Sequence, residues 1–269
     1  MSTIAQCVAD VQKWADTMRL KLNQGKTELI WFHCRRGVDV HTNMFCVPMS
    51  DSTIYPKGVV WDLGVLLDEE LTMRPFVHSI VRTCFYHLLR IRQVKTSLDG
   101  PSVQMLIQAL VTSRIDYCNS ILFDLPACTI RPLQLVQNAA ARMVTNIDRR
   151  EHVSPILRQL HWLPVAKRVV FKIAILMYKI DRKICPSYMT ELVVPCSSAT
   201  TRPSLRSASR GDYIPIKTRT KMGERSFSYA GPQTWNKLPS KIRDADSLSL
   251  FKRQLKSFLF DYSLIRGRL

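Results

Sequence analysis

PFVHSIVRTCFYHLLRIRQVKTS, residues 75–97, marks the point where the chain changes from short strand-like runs to helical patterning. Apolar side chains recur at steps of three and four residues, which places them on one side of an α-helix. They are Val77, Ile80, Val81, Cys84, Leu88 and Ile91. The pattern predicts a long amphipathic helix with one buried side.

A second stripe on this segment is basic and aromatic. Arg82, Tyr86 and Arg90 follow one another at four-residue steps, so they share a face of the predicted helix. Arginines neutralise phosphates, and an aromatic ring between them adds contact area. The stripe is therefore a candidate nucleic-acid contact, and an ordinary solvated helix face is the alternative.

Helical patterning continues downstream of this segment. It predicts helices over 102–122, 129–146, 154–160 and 164–180. Thr129 is expected to cap the second of these, and Pro164 to lie in the first turn of the last. Arg168, Lys172 and Lys179 line one side of that last helix, and they are further candidates for contact with nucleic acid.

Upstream, residues 1–73 predict a small α+β unit. Apolar residues at helical spacing indicate a helix that ends near Arg19, and strand-like runs follow at 28–33, 44–47 and 58–67.

Downstream, residues 195–211 are rich in Ser, Thr and Arg and predict a flexible basic linker. A final unit over 212–269 should contain a short strand at 213–217. It should also contain a closing helix capped by Asp246 or Ser247. The predicted fold is mainly α with four parts, 1–73, 74–194, 195–211 and 212–269.

The charge of the chain is unevenly distributed. Its 269 residues carry a net charge of +18, with 39 Lys and Arg against 21 Asp and Glu. Residues 1–73 hold 7 basic and 9 acidic residues, and residues 74–269 hold 32 and 12. Such an excess favours a polyanionic partner for the larger part, because each neutralised phosphate releases a counterion.

The cysteine pattern and the hydropathy of the chain indicate its cellular compartment. The eight cysteines show no CxxC spacing, and several fall inside apolar patterns, as reduced thiols do. No apolar run approaches the roughly 20 residues of a membrane-spanning helix, and the N-terminus lacks the pattern of a signal peptide. We expect a cytoplasmic or nuclear protein without a membrane partner.

Two clusters could hold a metal ion, but each has a simpler interpretation. His33, Cys34, His41 and Cys46 lie close in sequence, yet their spacing fits no standard zinc site. The carboxylates at 68–70 more often mark the beginning of a helix, where the helix dipole favours negative charge. We expect no metal site.

Two tryptophans also have two interpretations. Trp162 and Trp235 could be exposed stacking platforms for bases, but their apolar sequence neighbours favour buried positions in the core.

Several stretches, taken in order, resemble one protein family. They are KWADTMRLKLNQGKTELIWF (13–32), WDLGVLLDEELTM (61–73), HLLRIRQV (87–94), IDYCNSILFDLP (115–126), LQLVQNAAARMV (133–144), LHWLPVAKRVVFKIAILMYK (160–179), TRTKMGERSFSYAGPQTWNKLP (218–239) and SLSLFKRQLKSFLF (247–260). Together they resemble the reverse transcriptase of LINE-type, non-long-terminal-repeat retrotransposons of the jockey-like kind. The resemblance covers nearly the whole chain.

The resemblance implies a role for each part. Residues 1–73 would be the end of the palm, residues 74–194 a helical thumb-like bundle, and residues 212–269 a post-thumb unit. Lys26 matches the lysine of the family's motif D, which either supplies a proton to the leaving pyrophosphate or positions the triphosphate. Leu63 and Gly64 match the turn of motif E that grips the primer, and an ordinary strand with a bulge is the alternative for this pair.

The resemblance also implies that polymerisation needs residues outside this sequence. The family holds two Mg²⁺ ions on carboxylates that include a Tyr-x-Asp-Asp loop, and the 269 residues contain no Asp-Asp pair. That loop would precede the segment matching 12–32, so we expect the chain to start within the palm. It would then use no cofactor of its own and bind RNA or DNA without sequence preference.

Three alternatives to that interpretation are open. The chain could be part of a longer active enzyme, a protein-interaction module kept by a host, or a relic without function.

Overall fold

The computed structural model describes residues 2–33, 46–49, 52–148, 150–198 and 211–265. Most of them are helical and the strands are short, which confirms the prediction of a mainly α protein. The chain divides into two compact units, Met1–Phe76 and Val77–Leu269. The predicted boundaries at 194/195 and 211/212 fall inside the second unit.

The described residues of the first unit form one α-helix and two small hairpins. Its elements are α1 (Ser2–Thr17), a 3₁₀ turn (Gln24–Lys26), β1 (Val47–Met49), β2 (Ser52–Ile54), β3 (Val59–Asp62) and β4 (Val65–Asp68). Both pairs are antiparallel, and Val47 pairs with Ile54 while Val60 pairs with Leu67. Helix α1 packs against β1, with Ala15, Val47 and Met49 buried.

Two predicted strands of this unit differ from the structure. Residues 28–33 form no strand and run beside the second hairpin, where Leu29 makes an isolated bridge with Pro56. The run at 58–67 is a hairpin instead of one strand, because the chain reverses at Leu63 and Gly64. In the run predicted at 44–47, residues 44 and 45 lie outside the described residues, and β1 begins at Val47.

The second unit is a helical assembly. Helix α2 (Arg74–Val94) leads into it and is followed by a 3₁₀ turn (Lys95–Ser97), α3 (Gly100–Ile107), a π-helical turn (Gln108–Thr112), α4 (Ser113–Asp116), a 3₁₀ turn (Asn119–Leu122), α5 (Ala127–Thr145), α6 (Val153–Gln159), α7 (Val165–Asp181), α8 (Ser187–Thr190), β5 (Val194–Pro195), a 3₁₀ turn (Cys196–Ser198), β6 (Tyr213–Ile214), α9 (Lys221–Glu224), α10 (Phe227–Asn236), α11 (Ser240–Arg243) and α12 (Leu248–Ile265). The predicted helix over 75–97 is confirmed as α2 and the turn that follows it.

Some helix boundaries differ from the predictions for local reasons. The helix predicted over 102–122 is broken where Cys118 adopts a left-handed backbone conformation, φ 49°. The prediction that Thr129 caps α5 is wrong, because α5 begins at Ala127 and Thr129 lies buried in its first turn. Ser247 is the residue that caps α12, since its hydroxyl accepts a hydrogen bond from the Leu250 N–H at 3.2 Å.

Helix α7 is the centre of the second unit's core and packs against α10 and α12. The Tyr178 ring stacks on Phe251 with centroids 4.4 Å apart, and the Tyr178 hydroxyl donates to the Ala245 carbonyl at 2.8 Å. Trp235, 1% exposed, donates through its indole to the Gly211 carbonyl at 3.0 Å. Helices from both sides of the predicted linker therefore share one core.

Most of that predicted linker, residues 199–210, lies outside the described residues, and its described ends are paired. Strand β5 pairs with β6, and the Cys196 N–H donates to the Asp212 carbonyl at 2.9 Å. The Asn236 amide holds the same edge through two hydrogen bonds with the Tyr213 backbone, at 3.0 and 2.8 Å. The two ends consequently lie side by side.

Candidate nucleic-acid interface

The predicted basic stripe lies on an exposed face of α2. Arg82 and Arg90 are exposed, and Tyr86 between them is 58% exposed. Two apolar side chains, Phe85 (40%) and Leu89 (61%), are exposed on the same face. We call these five residues the α2 contact face. Among the described residues, neither guanidinium has a hydrogen-bond or ion-pair partner, so both charges are available to a ligand.

The opposite side of α2 is anchored, which holds this face in place. Its buried residues are Phe76, Val77, Ile80, Cys84, Leu88 and Ile91. The Cys84 thiol points at the Val111 carbonyl at 3.8 Å, and burial raises the pKa of that thiol to about 11. Just beyond the end of α2, the Lys95 ammonium donates to the Met143 carbonyl at 2.6 Å.

The three basic residues predicted on α7 have different surroundings. The Arg168 side chain is only 15% exposed. Its guanidinium donates to the Leu163 carbonyl at 3.0 Å and forms an ion pair with Asp116. Lys172, one turn further on, is exposed, and Lys179 is partly buried. Arg168 therefore holds helix α7 against the segment around Asp116, while Lys172 is the freer cation.

Lys172 and Arg168 line a cleft that the sequence did not predict. The cleft measures about 300 Å³, and Lys252 and Lys256 of α12 line its other side. Burial, and next the neighbouring Arg168 guanidinium, lower the pKa of Lys256. We call this the α7–α12 cleft.

Helix periodicity explains why these cations meet. On α12, Phe251, Leu255 and Leu259 are buried, so Lys252 and Lys256 stand one position further round the helix, at the edge of the packed side. On α7, Val169 and Ile173 are buried in the same way, each one position after Arg168 and Lys172. The spacing KRQLK in α12 was a visible signal, but its partner helix was not.

The primer-grip and motif D candidates lie in the first unit. Leu63 and Gly64 form the two-residue turn between β3 and β4, with φ angles of 46° and 84°. Two positive φ angles are typical of a type I′ hairpin turn, and Leu63 is 87% exposed. Lys26 is exposed in its 3₁₀ turn, and its backbone N–H donates to the Asn23 side chain at 3.2 Å.

The segment between them is held by one carboxylate. Glu28 accepts from the Lys57 ammonium at 2.9 Å and from the Trp61 N–H at 3.2 Å. The hydrogen bond from Lys57, followed by that from Trp61, lowers the pKa of Glu28. These two bonds tie the run after Lys26 to strand β3.

The acidic cluster at 68–70 has a structural role at its first residue. The Asp68 carboxylate is buried and accepts from the backbone N–H groups of Thr72 and Met73, both at 2.8 Å. These amides precede α2, so the carboxylate stabilises the turn into the helix instead of the helix terminus itself. Glu69 lies 3.7 Å from His33.

The described residues do not fit a two-metal site. Among them no three potential metal ligands of the His, Cys, Asp or Glu type lie together. Of the sequence cluster weighed for zinc, Cys34 and His41 lie outside the described residues.

The two tryptophans weighed as stacking platforms are buried. Trp162 is 9% exposed and Trp235 is 1% exposed, which confirms the prediction that both belong to the core. Bases therefore cannot stack on either ring in this conformation.

No protein-family model matches the chain, and neither a curated protein nor a solved structure is significantly similar to it. Within the described ranges, no helix has the length and hydropathy needed to cross a membrane.

Proposed function

We propose that the chain binds RNA or DNA without sequence preference, through phosphate contacts made by its second unit. The observation that carries the proposal is the α2 contact face, where Arg82 and Arg90 flank an exposed tyrosine with no partner for either charge among the described residues. Cations interleaved with aromatic rings suit a nucleic-acid strand, because the cations contact phosphates and the ring can stack on a base.

The charge distribution supports the same proposal. The excess of 32 basic over 12 acidic residues in 74–269 would draw a polyanion to this part of the chain. Lys172 and Lys179 of α7 would add contacts, whereas the ion pair with Asp116 reduces what Arg168 can offer. Leu63 and Gly64 would touch the primer strand, as the resemblance implies.

We also propose that the chain derives from the RNA-directed DNA polymerase of a non-long-terminal-repeat retrotransposon. The eight stretches that resemble this family occur in the family's order along the chain, which supports such an origin. In this proposal the 269 residues keep the binding surface of the parent enzyme and lack its metal-binding carboxylates. The chain would bind a template-primer duplex without extending it, in the cytoplasm or the nucleus.

A salt series tests the binding surface. The double variant Arg82→Ala and Arg90→Ala should make the log-log slope of affinity against salt shallower by roughly one to two, because each phosphate contact contributes somewhat under one. Arg131→Ala and Arg150→Ala is the matched control, since both arginines are exposed, belong to the second unit and lie outside α2. Fluorescence anisotropy with labelled RNA and DNA measures the slopes.

A protein-interaction surface is the second candidate, favoured by the exposure of Phe85 and Leu89 on the same face. Undetectable nucleic-acid binding at low salt would reject the first proposal in favour of this one. Equal slopes in the Arg82/Arg90 variant and its control would place the phosphate contacts on another surface.

A further inference from the structure

The α7–α12 cleft gathers more positive charge than it balances. Among the described residues that line it, the one carboxylate is that of Asp116, which is paired with Arg168. Lys172, Lys252 and Lys256 line the same cleft, and among the described residues no hydrogen bond or ion pair reaches any of their ammonium groups. Three unbalanced cations therefore surround one small space.

Crowding of this kind opposes folding unless an anion relieves it. Like charges destabilise one another most where water is partly excluded. Burial, and next the Arg168 charge, lower the pKa of Lys256, because both disfavour its protonated form. A bound anion would offset both effects.

Asn119, which also lines the cleft, has a buried amide. Asn119 is 3% exposed, and its amide nitrogen donates to the Asp116 carboxylate at 3.3 Å. Its oxygen is buried and has no hydrogen-bond partner in the described part of the chain. The Asn119 amide and the Arg168 guanidinium both bind the Asp116 carboxylate, so this part of the lining is fixed by contacts within the chain.

These features together indicate the chemistry of the ligand. Cations from two helices can meet several oxygens of a tetrahedral anion, whereas a carboxylate offers only two. The volume of about 300 Å³ lies at the small end of ligand sites, which suits a phosphate or pyrophosphate.

We propose that the α7–α12 cleft is a binding site for a phosphate group, with Lys172, Lys252 and Lys256 as its direct ligands. Arg168 and Asp116 fix the wall of the site through their ion pair. The group is either a free anion such as pyrophosphate or the terminal phosphate of a nucleic-acid strand. This site is separate in sequence and composition from the α2 contact face.

Thermal unfolding of the full chain tests the site with pyrophosphate. Pyrophosphate should raise the Tm above that in sodium chloride of equal ionic strength, because a ligand of the folded state stabilises it. In the double variant Lys252→Gln and Lys256→Gln, the fitted affinity should fall about tenfold or more, as expected for lost charge-assisted hydrogen bonds.

The matched control is Lys237→Gln with Lys241→Gln. Lys237 and Lys241 are exposed and four residues apart, the same spacing as Lys252 and Lys256. Replacing them removes the same amount of charge, and neither lines the cleft. Lys172→Gln, on the other helix, is the second test variant and should weaken pyrophosphate in the same way. Circular dichroism confirms that each variant is folded.

Two oligonucleotides distinguish the source of the phosphate. Tighter binding of a 5′-phosphorylated strand than of its 5′-hydroxyl twin, lost in the Lys252/Lys256 variant, assigns the site to a nucleic-acid terminus. Binding of pyrophosphate alone assigns it to a free anion. The proposal is overturned if pyrophosphate gives no Tm rise beyond the salt control, or if the Lys237/Lys241 control weakens it equally.

The result is independent of the proposed function. Arg82→Ala with Arg90→Ala should leave the pyrophosphate effect unchanged, because neither residue lines the cleft. Loss of nucleic-acid binding with a retained pyrophosphate effect would thus reject the proposed function and leave the cleft site standing.

Discussion

Leu63 combines two unfavourable features at one residue. Its φ of 46° lies in the left-handed region, where a β-carbon crowds the backbone at a cost of roughly 1–2 kcal/mol. Its side chain is also 87% exposed, so burial in this conformation does not offset the strain. Strained residues often occur at functional sites, which fits the primer contact that the resemblance implies.

Leu63→Asn should raise the free energy of unfolding by about 1 kcal/mol, because asparagine tolerates the left-handed region better than leucine. Urea denaturation measures the change. Leu135→Asn is the control: Leu135 is also exposed, at 51%, but lies inside α5, where asparagine is a poor helix former.

If Leu63 contacts nucleic acid, Leu63→Asn should bind nucleic acid more weakly while being more stable. A less stable variant would contradict the strain argument.

The cysteines should differ in reactivity according to their burial. Cys84 is buried and its pKa is raised to about 11, so its reactive thiolate is scarce at neutral pH. Cys7 and Cys128 are exposed. Maleimide labelling of the native chain at pH 7.5, followed by peptide mass spectrometry, should modify Cys7 and Cys128 well before Cys84.

The burial of Cys84 also makes the free energy of unfolding fall as pH rises. The folded state keeps the Cys84 thiol protonated up to a pH of about 11, whereas an unfolded cysteine ionises near 8.5. The stabilisation is complete below the unfolded pKa and is lost as pH rises towards the folded one. Cys84→Ala should remove this part of the alkaline destabilisation, and an unchanged stability profile between pH 8.5 and 11 would contradict it.

At the scale of the element, the cap of α12 gives a clean comparison. Ser247→Ala should lower the free energy of unfolding by about 1 kcal/mol, because the Leu250 N–H loses its partner. Asp246→Ala changes the other residue that the sequence offered as a cap and should have a smaller effect. Thermal and urea unfolding measure both. A larger loss for Asp246→Ala would reverse the assignment of the cap.

Long helices were predictable because their signal is local. The apolar stripes of α2, α7 and α12 repeat over several turns, so one face must be buried whatever the partner. Short elements were less predictable. The break at Cys118 and the course of residues 28–33 depend on contacts with distant segments, such as the bonds of Glu28 to Lys57 and Trp61.

The candidate sites divide in the same way. The α2 contact face follows from one helix period, and its exposure agrees with the sequence pattern. The α7–α12 cleft requires that two helices about 80 residues apart pack side by side, which no local pattern states. For the same reason the sequence predicts Arg168 as a contact residue but does not predict its ion pair with Asp116.

At the scale of the whole molecule, positive charge and strained turn lie in different parts of the chain. The basic excess belongs to residues 74–269, while Leu63, Gly64 and Lys26 belong to the first unit. If the chain binds a template-primer duplex as proposed, the positive charge of the second unit should supply most of the binding free energy. Contacts made by the first unit should then add little to it.

The purified full chain should be inactive as a polymerase. We expect no template-directed incorporation of deoxynucleotides by the purified protein, because two-metal polymerisation requires a cluster of carboxylates. The sequence has no Asp-Asp pair, and the buried Asp68 carboxylate is already occupied by two backbone N–H groups. Primer extension on an RNA template, with Mg²⁺ or with Mn²⁺, measures this under conditions where anisotropy detects binding.

Lys26→Ala makes the outcome of that assay interpretable. Incorporation that survives repurification and disappears in Lys26→Ala would mean that this chain polymerises, and that its metal-binding carboxylates are not those expected from the family. Incorporation that persists in the variant would indicate a contaminating polymerase. Binding without incorporation in both proteins is the expected result, because phosphate contacts need only the cations of the second unit, whereas bond formation needs the carboxylates as well.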